Sequence, residues 1–375
     1  MDQSLNPSIL FIPHPSALIP VKLSRMTLTI TELDAGGGGH ERVALGVDEA
    51  SGYRGIIAVH STALGPALGG TRFWNYASDG EALTDALRLS RGMTYKNALA
   101  RIPFGGGKSV IIGDNRTRER ASVFRAHGRF VETFEGRYIT AEDVGTSPAD
   151  MELCRAETRH AAGLVGRSGD PSPFTAHGVF RAMQAAARFR WGADSLAGRT
   201  VALQGLGNVG LNLARELREA GARLVVADVD PERARRAAAE LGAAAVEPAE
   251  IYGAAADVFA PCALGGVLND ETLPRLTVEI VCGAANNQLL EARHGDALDA
   301  RGILYAPDYA ANAGGVINGC RELLGWTPQR SYERVHALYD TLLDIFRLSR
   351  DQNVPTHLAA DRLAEARLRA GVGPR

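Results

Sequence analysis

Cysteine is scarce in this sequence, which has four cysteines among 375 residues. They are scattered and none lies in CxxC spacing, so neither a disulfide framework nor a cysteine-based zinc site is expected. The sequence predicts no metal site, and it predicts reduced thiols in a cytoplasmic protein. The four positions are Cys154, Cys262, Cys282 and Cys320.

The sequence also lacks a strong charge imbalance and long apolar runs. The formal net charge is -2, which argues against nucleic acid or an anionic membrane as the main partner. No apolar run approaches the ~20 residues that a membrane-spanning helix needs. The short apolar run at 8–12 is broken by Pro13 and Pro15 and follows no basic residue, so it matches a signal peptide poorly.

Apolar residues make up 45% of the chain, enough for a sizeable core, and the length suits two domains. Residues 1–40 are predicted to be an extension, because they are rich in Pro and Ser and end in a run of glycines. Met26 is a hypothetical start that N-terminal mass spectrometry would test. A Gly/Pro/Ser-rich connector is predicted to separate a domain at 41–168 from a second at 169–325, and residues 326–375 are predicted to form helices that return to the first domain.

Local patterns in the first domain predict both strands and helices. Ser78 and Glu81 form a capping box that opens a helix carrying Met93 and Lys96. Ser147–Pro148 has the usual order for the start of another helix. The remaining predicted elements are a hairpin of strands 43–48 and 55–61, a strand at 137–140 and a helix at 121–135.

Strand-like runs alternate with helical stretches in the second domain, which predicts a parallel sheet covered by helices on both faces. Thr175 is predicted to cap a helix over 176–190. Two amphipathic helices are predicted at 332–350 and 357–368. The predicted strands are 200–204, 223–228, 257–260, 279–282 and 302–305.

The turn 205–210, Gly-Leu-Gly-Asn-Val-Gly, follows an apolar strand and leads into a helix. This context is typical of a dinucleotide-binding turn, in which glycines let a pyrophosphate reach the helix N-terminus. Asp228 ends the next strand and is predicted, with the adjacent Val229, to contact the ribose. Its carboxylate would repel a 2′-phosphate, so the sequence favours NAD over NADP.

Two lysines lie on either side of a short connector, with Lys96 late in a helix and Lys108 after the glycines 105–107. We expect these glycines to let a substrate approach the backbone closely. Burial and a second nearby cation both lower the pKa of a lysine, so one lysine is a candidate acid/base and the other an anion clamp. A phosphate-binding loop is excluded, because Ile102 replaces its first glycine and a strand follows the lysine.

These residues lie within longer strings that resemble the glutamate/leucine/phenylalanine/valine dehydrogenase family. The resemblance covers about residues 41–370 and is closest to the leucine-specific branch. The strings include GPALGGTR (65–72), GMTYKNA (92–98), GGGKSVIIGD (105–114), GRYITAEDVGT (136–146), QGLGNVG (204–210), APCALG (260–265), GAANNQL (283–289), YAPDY (305–309) and NAGGVIN (312–318).

The resemblance implies oxidative deamination of an L-amino acid to a 2-oxo acid and ammonium, with hydride passing to NAD. It implies an α/β fold: a mixed-sheet substrate domain, a Rossmann-type doubly wound domain and C-terminal helices that pack back on the first domain. It also implies a homo-oligomer assembled through the first domain.

Roles carry over to the matching positions of this sequence. Lys96 would bind the substrate carboxylate, Lys108 would activate the water that attacks the imine, and Asp143 would relay protons to and from the amino nitrogen. The substrate pocket would be shaped by Leu68, Gly69, Gly70, Met93, Asn312 and Val316. The cofactor would contact Gly205, Gly207, Asn208, Val209 and Gly210, and its nicotinamide half would contact Cys262, Ala263, Asn286 and Asn287.

The side chain of the substrate is predicted to be apolar. Leu68 lies where glutamate-specific relatives carry a lysine, and a second carboxylate there would be left unpaired. Leucine or another branched-chain amino acid is the preferred prediction. A phenylalanine- or valine-preferring enzyme stays an alternative. The small Ala310 and Ala311 are expected to enlarge the pocket toward an aromatic side chain. A catalytically silent NAD-binding protein is a further alternative, against which the presence of both lysines and Asp143 argues.

Overall fold

The computed structural model of the chain describes residues 28–167 and 169–371. Two six-stranded sheets organise these residues, the first formed by the N-terminal part and the second by residues beyond the connector. The hypothetical start at Met26 and most of the predicted extension lie outside the described residues, as does Ser168. The predicted α/β fold with two domains is confirmed, whereas the exact domain boundaries stay predictions.

The first sheet is mixed and has the order β1-β2-β3-β5-β4-β6. Its first three strands and β5 pair antiparallel, and β4 pairs parallel with both β5 and β6. The carboxyl ends of β4 and β6 therefore lie at the same edge of the sheet. The strands are β1 (Thr29–Glu32), β2 (Arg42–Asp48), β3 (Tyr53–Ser61), β4 (Ala67–Trp74), β5 (Gly105–Ile112) and β6 (Tyr138–Glu142).

Strand β1 corrects the prediction that residues up to 40 form an extension. Thr29 to Glu32 pair antiparallel with Ala44 to Val47 of β2. The strand is short, and none of its residues is buried, so no apolar alternation marks it in the sequence. Its place at the edge of the sheet is set by backbone pairing with β2.

Three helices accompany the first sheet. Ser78 accepts a hydrogen bond from the Glu81 N–H at 3.2 Å and so caps α1 as predicted. Ser147 and Asp150 form a reciprocal capping box at the start of α3. The helices are α1 (Asp79–Leu99), α2 (Arg120–Glu132) and α3 (Pro148–Arg155).

The second sheet has the order β12-β11-β10-β7-β8-β9, and every pair in it is parallel. This is the doubly wound sheet that the alternating pattern predicts. The two-residue strand β9 is not predicted, because two alanines carry no periodic signal. The strands are β7 (Thr200–Gln204), β8 (Arg223–Ala227), β9 (Ala244–Ala245), β10 (Val258–Pro261), β11 (Ile280–Val281) and β12 (Leu304–Tyr305).

The helix after the connector begins earlier than predicted. Helix α4 starts at Ser172, after Pro171, and the Thr175 hydroxyl donates to the Pro171 carbonyl at 3.1 Å from within the first turn. The prediction that Thr175 caps this helix is therefore wrong. The helices here are α4 (Ser172–Trp191), α5 (Asn208–Glu219), α6 (Pro231–Leu241), α7 (Arg293–Ala300), α8 (Asp308–Ala311) and α9 (Gly314–Leu324).

The C-terminal segment forms α10 (Pro328–His336), α11 (Leu338–Gln352) and α12 (Thr356–Ala370). The helix predicted at 332–350 is thus two helices that meet at Ala337. The apolar stripe of that prediction continues through both, which explains why the break is invisible in the pattern.

Helices α11 and α12 pack on α1, as predicted for the returning segment. Tyr95 of α1 donates a hydrogen bond to Glu365 at 3.0 Å, and Arg367 donates to the carbonyl of Leu99 at 2.9 Å. Buried side chains of all three helices share one apolar cluster with α4 and α5. None of the helices among residues 28–167 and 169–371 is long and apolar enough to span a membrane.

Candidate active site

Helix α1 carries Lys96 in its last turn, and β5 carries Lys108 at its centre. The two elements pack closely because the strand begins with glycines. A Cβ on Gly106 would lie 2.0 Å from the backbone nitrogen of Thr94 in α1. A Cβ on Gly105 would likewise clash with Ser61, and a Cβ on Gly107 would clash with the Tyr138 ring. The prediction that these glycines admit substrate is therefore wrong: Gly106 brings the two lysine-bearing elements together, and Gly105 and Gly107 pack against neighbouring strands.

Asp143 follows β6 directly, and its position is held by Thr146. The Asp143 N–H donates to the Thr146 hydroxyl oxygen at 2.8 Å, and that hydroxyl lies 3.0 Å from the Thr71 carbonyl. Lys108 Nζ lies 2.5 Å from Asp143 Oδ2 and donates a hydrogen bond to it. The structure thus brings the predicted acid/base lysine and the predicted proton relay into direct contact.

Burial changes the proton affinity of both lysines. Lys108 is only 5% exposed, and burial lowers its pKa below the usual range despite the opposing charge of Asp143. Burial also lowers the pKa of Lys96; Asp308 opposes this shift, whereas the positive charge of Lys108 adds to it. Both directions agree with the expectation for closely spaced, desolvated lysines.

Asp143 is held in its ionised form by its neighbours. Burial alone would raise its pKa, but the charges of Lys108 and Arg72 and the Lys108 hydrogen bond outweigh burial and hold the pKa of this carboxyl below its usual range. Lys108 and Asp143 therefore form an ion pair in a largely water-excluded place.

Asparagines from the second sheet face the lysines. Lys96 Nζ donates to Asn286 Oδ1 at 3.3 Å, and Asn312 Nδ2 donates to the same oxygen at 2.8 Å. A second hydrogen bond from Asn312 Nδ2 reaches the Ala284 carbonyl at 3.1 Å. Asn312 Oδ1 is buried without a hydrogen-bond partner in the described part of the chain.

A cavity of about 450 Å³ opens beside the lysines and Asp143. Its volume is typical of a site for a small molecule, and its walls are mostly apolar with convergent polar groups. Leu68, at 4% exposure, lies in the wall where the sequence predicts an apolar contact. The lining includes every predicted substrate-binding residue: Leu68, Gly69, Gly70, Met93, Lys96, Asn312 and Val316.

The Gly-rich turn between β7 and α5 fits a dinucleotide. Gly205 has φ +95°, and a Cβ on Gly210 would lie 1.9 Å from the Gly205 carbonyl oxygen. A Cβ on Gly207 would meet no described atom within 4 Å. The first glycine therefore makes the turn, the third packs the helix on the strand, and the second leaves open space for a pyrophosphate. Asn208 and Val209 begin α5, whose cap at Gly207 carries no side-chain hydrogen bond.

Asp228 braces this turn. Its Oδ2 accepts the Leu206 N–H at 2.6 Å, and its Oδ1 accepts the Asp230 N–H at 2.9 Å. The carboxylate is therefore fixed beside the glycines, at the carboxyl end of β8. Val229 is 89% exposed at this edge.

The predicted nicotinamide-side residues follow β10 and β11. Ala263 packs against Gly205, where a Cβ would lie 2.8 Å from the Ala263 nitrogen. Burial raises the pKa of the Cys262 thiol to about 12, so this cysteine is a packing residue rather than a nucleophile. Asn287 has φ 52°, and its N–H donates to Asp308 Oδ2 at 2.5 Å.

Two charged residues at the site are absent from the sequence prediction. Asp308 is buried, accepts from the Tyr305 hydroxyl at 3.0 Å and faces Lys96, and burial raises its pKa. Arg72 approaches Asp143 Oδ2 at 3.4 Å. Asp308 lies in the string YAPDY and Arg72 in the string GPALGGTR. The family resemblance carried by these strings was therefore the signal that could have identified both residues.

The expected role of Ala310 and Ala311 is corrected by the structure. Both are fully buried in the apolar cluster that α4 and α11 share. They do not line the cavity described above. Their small size permits helix packing and does not enlarge the pocket.

A mixed-sheet domain, a dinucleotide-binding sheet and a lysine–aspartate pair facing the cleft define a nicotinamide dinucleotide-dependent oxidoreductase. Comparison with known families gives the assignment. Residues 41–160 match the Glu/Leu/Phe/Val dehydrogenase dimerisation domain, and residues 166–233 and 228–337 match the Glutamate/Leucine/Phenylalanine/Valine dehydrogenase model. The chain belongs to this family and is an amino acid dehydrogenase, which confirms the resemblance seen in the sequence.

Several relatives share half of their residues with this chain. It is 53% identical over 332 residues to leucine dehydrogenase of Geobacillus stearothermophilus, covering 88% of this chain and 90% of the relative. It is 49% identical over 337 residues to phenylalanine dehydrogenase of Caldalkalibacillus thermarum, covering 88% and 91%. The crystal structure of L-tryptophan dehydrogenase from Nostoc punctiforme superposes with a TM-score of 0.82 at 46% identity, covering 89% of this chain and 97% of that one.

Proposed function

We propose that this chain catalyses the NAD-dependent oxidative deamination of an apolar L-amino acid, with leucine or another branched-chain amino acid preferred. The amino acid, NAD⁺ and water give the 2-oxo acid, ammonium, NADH and a proton. The observation that carries the proposal is the Lys108–Asp143 pair at 2.5 Å, beside a cavity with apolar walls.

Lys96 binds the substrate carboxylate in this proposal. Its ammonium lies 3.3 Å from a neutral amide oxygen, Asn286 Oδ1, which is a weaker partner than a carboxylate. A substrate carboxylate can therefore take over this hydrogen bond. The apolar residue Leu68 then faces the substrate side chain, where a second carboxylate would lack a cationic partner.

Asp143 and Lys108 move the protons. The hydrogen bond from Lys108 reaches Oδ2 of Asp143, so Oδ1 is the oxygen proposed to take a proton from the substrate amino group. Lys108, whose pKa is lowered by burial, first releases its ammonium proton to solvent and then, as a neutral amine, accepts a proton from the water that attacks the imine carbon. The collapse of the resulting carbinolamine releases ammonia, which leaves as ammonium after Asp143 returns a proton.

The Gly-rich turn holds the dinucleotide, whose nicotinamide accepts the hydride when it is bound. We propose NAD as the cofactor, because Asp228 fixes a carboxylate beside the turn through hydrogen bonds to Leu206 and Asp230. A 2′-phosphate would be repelled there. Comparison of kcat/KM for NAD and NADP tests this choice, and equal values would contradict it.

Substrate choice is tested by NADH formation with a panel of L-amino acids. Leucine, isoleucine and valine are expected to give the highest kcat/KM, with differences of about 10- to 200-fold between side chains that differ by one methylene. Absence of turnover with every apolar amino acid would refute the proposal.

A specific feature of the pocket favours aromatic substrates as a second candidate. Gly319 contributes to its lining, and a Cβ at this position would meet no described atom within 4 Å, so a larger residue could occupy pocket space that the glycine leaves free. Relatives that are 49% identical include a phenylalanine dehydrogenase. Higher kcat/KM for phenylalanine or tryptophan than for leucine in the same panel would establish this candidate.

We also propose a homo-oligomer assembled through the first domain. The family model matching residues 41–160 describes a dimerisation domain. Light scattering on the purified protein would detect the assembly, and a monomer at micromolar concentration would contradict it. A cytoplasmic location is proposed because all four cysteines are unpaired in the structure.

A further inference from the structure

Arg72 lies between two carboxylates, one of which belongs to the proposed catalytic machinery. Its Nη1 lies 2.8 Å from Asp85 Oδ2, and its Nε lies 3.4 Å from Asp143 Oδ2. Arg72 comes from β4, Asp85 from α1 and Asp143 from the end of β6. One guanidinium thus connects three elements beside Asp143, which lines the cavity.

The ion pairs of Arg72 with Asp85 and Asp143 are partly shielded from water, and Asp85 is held by a further hydrogen bond. Side-chain exposures are 23% for Arg72, 14% for Asp85 and 27% for Asp143. Tyr76 donates its hydroxyl hydrogen to Asp85 Oδ2 at 2.8 Å. The buried Nε of Arg72 makes no hydrogen bond with a described residue, and its 3.4 Å approach to Asp143 Oδ2 is an ion-pair contact. A planar guanidinium can hold two carboxylates in fixed directions, which a lysine cannot.

We propose that Arg72, anchored by Asp85, is a positioning residue that holds Oδ2 of Asp143 and so directs its other oxygen toward the substrate amino group. Lys108 also binds Oδ2, so both cations restrain the same oxygen. The proposal rests on the proposed deamination. In this proposal Arg72 touches neither substrate nor cofactor. It sets the orientation and charge state of Asp143, which does contact the substrate.

The titratable groups that interact electrostatically with Asp143 include Lys108 from β5, Arg72 from β4, Lys96 from α1 and Tyr138 from β6. Asp85 shares Arg72 with Asp143, and Glu142 precedes Asp143 in the chain. Lys108 and Arg72 are the cations whose charges hold the pKa of Asp143 below its usual range, against burial. Loss of Arg72 therefore raises the pH at which Asp143 becomes protonated.

Arg72→Gln, assayed for NADH formation from the best amino acid substrate, tests both roles of the residue. We expect kcat at neutral pH to fall about 10- to 100-fold, because misplaced groups cost rates of this order. The acid limb of the pH profile of kcat/KM is expected to move to higher pH. The KM for the dinucleotide should stay close to the wild-type value, since Arg72 does not contact the Gly-rich turn.

Two further variants separate position from charge. Arg72→Lys keeps the positive charge, so its acid limb should stay near that of the wild type while kcat remains low. Asp85→Asn removes the anchor but no cation, so kcat should fall without movement of the acid limb to higher pH. If Arg72→Gln does not fold, these two variants still test the proposal.

Arg88→Gln is the matched control. Arg88 lies 3.3 Å from the same carboxylate, Asp85, but is 65% exposed and makes no ion pair with Asp143 among the described residues. It should keep wild-type kcat and pH profile. Wild-type kcat and acid limb in Arg72→Gln would overturn the inference while leaving the proposed function intact, whereas an inactive wild-type protein would remove both.

Discussion

Lys108 shows how one residue is prepared for chemistry by its position. The residue is 5% exposed, and its ammonium lies 2.5 Å from Asp143 Oδ2 in the lining of the cavity. Burial lowers the pKa of this lysine, which brings a normally cationic side chain closer to acting as a base at neutral pH.

Lys108→Ala is expected to abolish turnover. The variant loses the group that accepts a proton from water, and we expect kcat to fall at least about 100-fold. NADH binding, measured by fluorescence, should stay nearly unchanged because the Gly-rich turn lies on the other sheet. A variant with native rates would show that the acid/base assignment is wrong.

The buried side chain of His127 makes the stability of the protein depend on pH. It is fully buried on α2, where Nδ1 lies 2.9 Å from the Tyr53 hydroxyl and Nε2 lies 3.0 Å from the Thr71 hydroxyl. Burial lowers the pKa of His127 to about 3. The unfolded chain therefore binds a proton at higher pH than the folded protein, and stability falls as the pH drops from about 6.5 toward 3.

The free energy of unfolding, measured with urea at pH 7 and at pH 5, checks this linkage. His127 should contribute a loss of up to about 1.4 kcal/mol for each pH unit below 6.5. His127→Gln should lower stability at pH 7 but flatten the dependence between the two pH values. Equal pH dependence in the variant and the wild type would contradict the assignment to His127.

Gly319 offers a way to change the preferred side chain. It lies in α9 and lines the substrate cavity, and a Cβ placed on it would meet no described atom within 4 Å. Gly319→Ala should therefore fill part of the pocket and lower kcat/KM for phenylalanine more than for leucine, by about 10-fold. An unchanged ratio of the two kcat/KM values would show that position 319 does not limit the side chain.

At the scale of secondary-structure elements, the contact between α1 and β5 sets the distance between the two lysines. Gly106 lies against the backbone of Thr94, with no room for a side chain. The strand and the helix can therefore approach until Lys96 and Lys108 face the same cavity.

Gly106→Ala is expected to destabilise the protein by about 3 kcal/mol or more, because a Cβ 2.0 Å from the Thr94 nitrogen forces the elements apart. It should also raise the KM for the amino acid. Gly92→Ala in the same helix is the control: its Cβ would meet no described atom within 4 Å, so it should be neutral or stabilising by up to ~1 kcal/mol. The two variants are compared by urea unfolding, and equal stabilities would refute the packing argument.

Elements with their own local signals were predictable from the sequence. The Gly-rich turn stands between an apolar strand and a helix, and Ser78 and Ser147 mark two helix starts that the structure confirms. The cavity residues could be predicted because long strings carry the family resemblance. Their individual roles stay predictions.

Features fixed by distant contacts could not be predicted in this way. Strand β1 has no buried residue and depends on pairing with β2. The break at Ala337 interrupts a continuous apolar stripe. The approach of Arg72 to Asp85 and Asp143 depends on how three elements meet, and no spacing in the sequence contains that information.

At the scale of the whole molecule, helix α12 forms hydrogen bonds with the C-terminal end of α1, the helix that carries Lys96. Arg367 of α12 donates hydrogen bonds to the carbonyls of Leu99 at 2.9 Å and Ala98 at 3.4 Å. These carbonyls belong to the C-terminal turn of α1, where Ala98 also accepts from the Arg101 N–H at 3.2 Å and Leu99 from the Thr341 hydroxyl at 3.3 Å. A cation from a much later helix thus adds a charged donor to the end of α1.

Arg367→Met should lower the free energy of unfolding by about 1–3 kcal/mol, because the Leu99 and Ala98 carbonyls lose a charged donor and keep only their weaker neutral ones. The KM for the amino acid should rise as the turn that holds Lys96 loosens. Arg369→Met lies in the same helix but replaces a side chain that is 73% exposed, and it should change neither quantity. Equal stabilities of the two variants would contradict the role of Arg367.

The return of α12 to α1 also has a consequence for biosynthesis. A nascent chain on the ribosome exposes the Lys96 helix long before residues 356–370, its covering partner, are translated. The N-terminal part is therefore incompletely covered until these residues have been synthesised. A polypeptide that terminates before residue 356 would carry both lysines and still lack the helix that covers α1.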